Sequence, residues 1–231
     1  MAFPELVIFD CDGVLIDSEG LAHQALIDAL AEHGVHMTLE DALGRYTGKS
    51  EKEEHADVEA RHGVILPVGF SDRKSQMRKK LFEEQLEPVP GVFELLEGLR
   101  TKKCIASGSS FERLRHSLGL MDLWDRFAPY IFSAEQVKHG KPAPDLFLSA
   151  AEQMSVPASA CLVIEDSVAG VQAAKTAGMK VYGFTGGSHC DAVHGGRLTS
   201  EGAAAVFNRM DLLAASLGIS GKKVCEVFYG S

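Results

Sequence analysis

The chain has 231 residues, 45% of them hydrophobic and 24% charged, with a net charge of −9. That balance fits a globular protein with a full core, either one large domain or a core plus an insert. It argues against a nucleic-acid partner held on a broad basic surface. No apolar run is long enough to span a bilayer. Five cysteines, at 11, 104, 161, 190 and 225, show no C-x-x-C spacing. An odd count without a signal peptide leads us to expect a reducing, cytoplasmic setting.

The first element is Leu6-Val7-Ile8-Phe9. It is short, apolar and lacks a polar face, which predicts a strand covered on both sides, as in a parallel sheet flanked by helices. It runs into Asp10-Cys11-Asp12-Gly13-Val14. Extended backbone points residues i and i+2 the same way, about 6–7 Å apart. Two carboxylates side by side repel unless a cation or a reaction needs them, the plain alternative being a solvated acidic turn. Residues 17–85 then change character. Leu21, Ala25, Leu26, Ala29 and Leu30 recur at helical spacing, and Gly34, Gly44, Gly48, Gly63 and Pro67 punctuate the segment. We expect an all-α insert there, with 1–16 and 86–231 forming an α/β core. Hinged near 17–19 and 84–88, it would act as a lid that excludes water. Pro88-Val89-Pro90-Gly91 returns the chain to the core and opens a helix.

One design then repeats: an apolar strand, a small or acidic residue, a helix. Lys103-Cys104-Ile105-Ala106 ends at Ser107-Gly108-Ser109-Ser110, with a helix from about Phe111. Tyr130-Ile131-Phe132 ends at Ser133-Ala134-Glu135. Cys161-Leu162-Val163-Ile164 ends at Glu165-Asp166-Ser167, with a helix from about Val168. Lys180-Val181-Tyr182-Gly183-Phe184 runs into Gly186-Gly187. Strands alternating with helices predict a doubly wound parallel sheet, Rossmann-like in build, whose ligands gather at the carboxyl ends of its strands. The acids and hydroxyls named here all fall at those ends. Cys11, Cys104 and Cys161 lie in or beside the apolar runs and read as small core residues.

Two acidic strand ends in one small domain suit a cation. Carboxylate oxygens plus water are a natural shell for Mg²⁺. Helix capping by Asp166 or Ser167 would account for one acid at 165–166 but not both. Ser107, Gly108 and Ser109 offer a hydroxyl and free backbone at a helix start, where an anion is favoured, although a simple cap would look the same. Lys141 stands on the stiff loop Gly140-Lys141-Pro142-Ala143-Pro144 and is a candidate for a fixed cation beside a phosphate.

Taken together, Asp10-x-Asp12-Gly13-Val14, Ser107, Gly140-Lys141-Pro142 and Glu165-Asp166-Ser167 resemble, in order and spacing, the motifs of the haloacid dehalogenase superfamily. The resemblance covers essentially the whole chain. The sequence around Phe9–Glu19, 141–147 and 164–170 is most similar to the β-phosphoglucomutase-like branch of sugar phosphatases and mutases, and the 17–85 insert resembles that superfamily's helical cap.

The resemblance implies an enzyme that acts through an aspartyl-phosphate. Asp10 would be the nucleophile and Asp12 the proton carrier. Mg²⁺ would be held by the Asp10 carboxylate, the Asp12 main-chain carbonyl and Asp166, with Glu165 near or in its shell. Ser107 and Lys141 would hold phosphoryl oxygens. The substrate would be a small phosphorylated metabolite, with no nucleic-acid or membrane partner and the protein a monomer or weak homodimer. In the mutases an arginine shortly after a cap glycine grips the second phosphate. Here Tyr46-Thr47-Gly48-Lys49-Ser50-Glu51-Lys52 puts Glu51 at that place. Lys49 or Lys52 could stand in, without the guanidinium fork. We therefore read a phosphatase of sugar phosphates, with a mutase as the alternative and a non-catalytic phospho-switch as a third reading. His23 matches a cap histidine of the mutases and could touch the substrate.

Three signals are weaker, and the first two read as ordinary surface. His189, Cys190, Asp191 and His194 resemble metal ligands in type but sit in a Gly-rich loop without firm spacing. Arg73, Lys74, Arg78, Lys79 and Lys80 read as a solvated helix face. The tail from Ser220, with Val224, Val227, Phe228 and Tyr229, reads as a packing segment or an oligomer contact.

Overall fold

In the computed structural model, which describes residues 3–219, the strand β1 (Leu6–Phe9) is the pivot. Its side chains divide between two cores. Val7 and Phe9 pack with Ile105, Leu114 and Ile164, while Leu6 and Ile8 pack on the other face with Cys104, Phe147 and Val163. A strand buried on both faces needs no polar alternation, which is why its sequence is unbroken apolar.

Five more parallel strands join it: β2 (Lys102–Ser107), β3 (Ile131–Ser133), β4 (Cys161–Glu165), β5 (Lys180–Phe184) and β6 (Ala205–Phe207), in the order β3-β2-β1-β4-β5-β6. Helices α5 (Val92–Gly98), α6 (Phe111–Leu120), α7 (Trp124–Phe127), α8 (Asp145–Gln153), α9 (Val168–Thr176), α10 (His194–Glu201) and α11 (Met210–Ser216) complete the core. Five of the six strands stand within about a residue of where the apolar runs predict them. The edge strand β6 was not foreseen. It is three residues long and only half-buried, too short to register as an apolar run.

The chain passes from β1 to β2 on one side and returns to β4 on the other, so the sheet switches direction at β1. Phe9 pairs with Ile105 and with Ile164 at once. The residue after Phe9 therefore emerges between the ends of β2 and β4, in the crevice where such sheets bind ligands.

Between β1 and α5 the chain forms an all-α cap of α1 (Glu19–Ala31), α2 (Leu39–Tyr46), α3 (Glu51–His62) and α4 (Phe70–Gln85). Its own small core joins Leu26, Ala29, Leu30, Val35, Ala42, Tyr46, Val58 and Phe70. Leu21 instead packs against the core of the sheet. Ser50 starts α3 with a capping box: its hydroxyl accepts from the Glu53 amide and the Glu53 carboxylate accepts from the Ser50 amide. The two crossings run side by side. The Asp17 amide donates to the Glu87 carbonyl at 2.9 Å and the Val89 amide to the Leu15 carbonyl at 3.0 Å. Cys11, Cys104 and Cys161 are buried in the core. Cys225 and the tail from Ser220 lie outside the described residues.

Candidate active site

Asp10 follows β1, its amide donating to the Ile164 carbonyl at 2.9 Å. Glu165 ends β4, and Asp166 follows it. The parallel register thus brings three carboxylates together, and one oxygen from each of Asp10, Glu165 and Asp166 lies within 4.8 Å of the others. All three residues are buried. The turn at Gly13 permits this. Its φ is +75°, and a Cβ there would stand 1.9 Å from Asp166 Oδ2.

Lys141 is the cation shared by two of the three acids, Asp10 and Glu165. Its ammonium donates to Asp10 Oδ1 at 2.7 Å and Glu165 Oε1 at 2.5 Å. Burial opposes its charge, but Asp10 and Glu165 more than offset this and raise its pKa above the usual lysine value. The other Glu165 oxygen accepts from the Ser167 amide and hydroxyl at 2.7 and 2.9 Å. Glu165 therefore ties Lys141 to the start of α9, with Ser167 as its cap. Gly170 faces this carboxylate so closely that any side chain would collide with it.

One lysine does not balance the group. Burial pushes the Asp10 carboxyl well above the ordinary range; Lys141 works against the rise while Glu165, Asp166 and Asp12 add to it. Burial likewise raises Asp166 to about 6 although His189 bonds it. Carboxylates forced toward neutrality beside oxygen-rich, converging neighbours are a donor set that fits a hard divalent cation.

The Asp12 carboxylate points away from that group. It accepts from Ser18 Oγ at 2.5 Å, Ser109 Oγ at 2.6 Å and Arg113 Nη2 at 2.8 Å. Burial opposes ionisation, but Arg113 and the two hydroxyls prevail and hold its pKa below the ordinary value. Sequence reasoning missed Arg113 and Ser18. A physical signal for Arg113 was present: it stands in the first turn of α6, after the cap Ser110, where the helix dipole disfavours a cation. An arginine there needs an anion from elsewhere, and Asp12 is that anion.

Ser107, Gly108 and Ser109 line the same cleft, with the Ser107 hydroxyl accepting from the Ser109 amide at 3.1 Å. The cleft has a volume of about 640 Å³ and is roofed by cap residues including His23, Lys49, Lys74 and Arg78. His23 is buried, its Nε2 3.1 Å from Thr47 Oγ1. Lys49 lies over the Tyr46 ring.

Three expectations need correcting. Lys52 is not among the residues lining this cleft; it lines a separate groove with His55, Ala56 and Glu59. Successive helical residues point about 100° apart, so the turn of α3 that aims Glu51 and Glu54 at the cleft carries Lys52 off it. The basic stretch of α4 is also not uniformly solvated. Lys74 is buried and donates to Glu54 at 2.5 Å, with Glu51 at 2.8 Å. Arg78 is half-buried on the cleft wall, and its one side-chain hydrogen bond among the described residues is to Ser75. Arg73, Lys79 and Lys80 do face outward and pair with Glu32, Glu112 and Glu84. The Gly-rich loop is not plain surface either, since His189 and His194 both touch Asp166.

No helix among the described residues is long and apolar enough to cross a membrane. The haloacid dehalogenase-like hydrolase family model matches residues 7–184. A 6-phosphogluconate phosphatase of Escherichia coli is 32% identical over 186 residues, 80% of this chain and 84% of that protein. A phosphorylated carbohydrates phosphatase of Thermotoga maritima is 35% identical over 184 residues, 78% of this chain and 84% of that protein. A solved haloacid dehalogenase-like protein from Agrobacterium tumefaciens superposes with a TM-score of 0.84 at 38% identity, over 94% of this chain and 98% of that one. With the acids, the lysine and the capped crevice at the ends of β1, β2 and β4, these likenesses lead to one conclusion: the chain belongs to the haloacid dehalogenase-like hydrolase family, in its branch of sugar phosphatases and β-phosphoglucomutase-like proteins.

Proposed function

We propose that this enzyme, a phosphatase of that family, hydrolyses the monoesters of small phosphorylated sugars or sugar acids through an aspartyl-phosphate on Asp10. The observation that carries the reading is the division of labour between the two acids of the Asp10/Asp12 pair. Asp10 sits in the carboxylate cluster against Lys141, while Asp12 sits apart on Arg113 and two serines. One carboxylate can then attack phosphorus while the other handles protons.

Asp10 Oδ would attack the phosphoryl group as the alkoxide leaves, and Asp12 would protonate that oxygen. The Asp12 carboxylate so regenerated would draw a proton from water, whose attack on the phosphoryl group frees Asp10. Arg113 favours the ionised form of Asp12, the form that acts as base. Lys141, Ser107 and the backbone at 108–109 would take the phosphoryl oxygens. Asp10, Asp166 and the Asp12 main-chain carbonyl would hold Mg²⁺, with Glu165 positioning Lys141 at its edge. When bound, the ion would neutralise the charge shared by nucleophile and phosphate.

Glu51 favours a phosphatase over a mutase. Its carboxylate on the cleft wall is bonded to Lys74, where a mutase needs an arginine for a second phosphate. The names of the relatives favour sugar-phosphate substrates. His23, Lys49 and Arg78 are the cap groups we assign to the sugar end.

A panel of phosphate esters with Mg²⁺ tests the reading. Wild type should release phosphate, Asp10→Asn should not, and Asp12→Asn should accumulate phosphoenzyme. Turnover of no ester by folded protein would reject it. Isomerisation of a hexose 1-phosphate, stimulated by a bisphosphate and with little free phosphate, would instead identify a mutase.

A further inference from the structure

The loop after β5 places a thiol and two imidazoles against the acidic cluster, and nothing in the phosphatase reading uses them. One ligand atom from each of His189, Cys190 and His194 lies within 4.8 Å of the others. Cys190 Sγ is 3.4 Å from His189 Nε2, and that nitrogen is 3.1 Å from Asp166 Oδ2. Neighbouring ligands of a tetrahedral Zn²⁺ with bonds of 2.0–2.3 Å stand about 3.3–3.8 Å apart. The Cys190–His189 separation falls within that spacing, and the His189–Asp166 separation is slightly shorter than it.

The arrangement is not a Cys–His–Asp relay. A relay uses opposite nitrogens of the ring, one for the nucleophile and one for the acid. Here Cys190 and Asp166 both meet Nε2, and Nδ1 is buried without a hydrogen bond. The second imidazole is set for ligation. His194 Nε2 contacts the Asp166 main-chain oxygen at 2.5 Å, so its proton sits there and Nδ1 keeps a lone pair. Arg197 Nη2 also stands 3.3 Å from that nitrogen, and Asp191 already holds Arg197 with two contacts of 2.7 and 2.8 Å.

The loop is built to hold this geometry. A Cβ on Gly187 would stand 2.8 Å from His189 Nδ1 and 3.0 Å from the Gly13 carbonyl. Ser188 is fastened by its amide and hydroxyl to Asp17 Oδ1 at 3.1 and 2.9 Å. The His189 side chain is 1% exposed, whereas Cys190 is half-buried and open to an incoming ion.

We propose that His189 Nε2, Cys190 Sγ and His194 Nδ1 form a second metal site, selective for a borderline transition metal such as Zn²⁺, with Asp166 as the ligand it shares with the carboxylate cluster. Thiolate and imidazole favour such an ion over Mg²⁺, which keeps to oxygen. Filling the site draws Asp166 toward the loop. Zn²⁺ then inhibits turnover without resembling the substrate, a consequence that rests on the role given to Asp166 above.

Co²⁺ is the probe for the site itself, because its spectrum reports ligands whether or not the protein is active. Metal-stripped protein with excess Mg²⁺ is titrated with Co²⁺. Strong visible bands of four-coordination and a thiolate-to-cobalt charge-transfer band, saturating at one equivalent, are expected in wild type. Both should be lost in Cys190→Ser with an unchanged circular dichroism spectrum. Only the weak spectrum of six oxygen ligands, or a charge-transfer band that survives in Cys190→Ser, overturns the site. In the phosphatase assay, Cys190→Ser should match wild type with Mg²⁺ alone and need about tenfold more Zn²⁺ for half-inhibition. Equal inhibition of the two proteins overturns the shared ligand.

Discussion

Two lysines in this protein each hold a pair of carboxylates, and they do so to different ends. Lys141 binds Asp10 and Glu165 at the strand ends; Lys74 binds Glu54 and Glu51 between α4 and α3. At the strand ends a third acid, Asp166, stands within reach of the same pair, and the backbone around Gly13 and Gly170 leaves no room for the acids to spread. That group stays overcharged, and burial forces Asp10 and Asp166 toward neutrality, a state that a cation relieves. In the cap, Glu51 is half-exposed and Arg78 lies close by, so charge is shared with solvent and with a second cation. A buried ion pair with an unmatched charge is a site for chemistry; one whose charge is matched is a pin between helices.

Substitutions can break that contrast. The largest effect is expected from Asp10→Asn, which should lower phosphate release by about 10⁴-fold or more. The fold should be intact, because one of the crowded charges is removed. Lys141→Met comes next. It should cost about 10³-fold in turnover, as expected when a preorganised contact to the transferred group is lost. It should also lower metal-free stability by about 3 kcal/mol, as buried carboxylates lose their partner. Denaturant unfolding in chelator checks the second effect.

Arg113→Met should reduce turnover by about 10²-fold and move the acid limb of the pH–rate profile upward. The sign follows from the forces on Asp12: burial raises its pKa and Arg113 lowers it, so loss of Arg113 leaves burial opposed only by the weaker effects of the Ser109 and Ser18 hydroxyls and Arg78. An acid limb that stays in place would separate Arg113 from Asp12. Lys74→Met should be mildest, at about 1–2 kcal/mol of stability, discounted for the exposure of Glu51. Turnover should stay within about threefold. A larger loss of turnover would make the cap pin part of the chemistry and erase the contrast.

The strand-end acids were legible because each follows directly on a buried apolar run, so a local pattern locates it. Asp10, Glu165 and Asp166 needed only the parallel register to converge. The cap chemistry was harder. Lys74 and Arg73 are adjacent in sequence, yet one is buried on the cleft wall and the other pairs with Glu32 at the surface. Which of two neighbours faces inward depends on how α4 is rotated against α3, and charge composition carries no record of that rotation. Glu51 and Lys52 divide in the same way. Arg113 was hidden for another reason: its partner is 101 residues away, and only its awkward place in a helix's first turn pointed to it. The His189–His194 loop has ligand types without a ligand pattern, since its fourth member comes from the end of another strand.

The two strands of chain that enter and leave the cap are hydrogen-bonded to each other, Asp17 to Glu87 and Leu15 to Val89. Seen from the sheet, everything between them is a detour that begins and ends at one point. A short turn from Asp17 to Glu87 would leave every strand pairing of the sheet in place. The roof is thus an interchangeable part. Helices of another length or charge could be spliced into that gap to select a different ester, with no change to the acids, the lysine or the strands beneath.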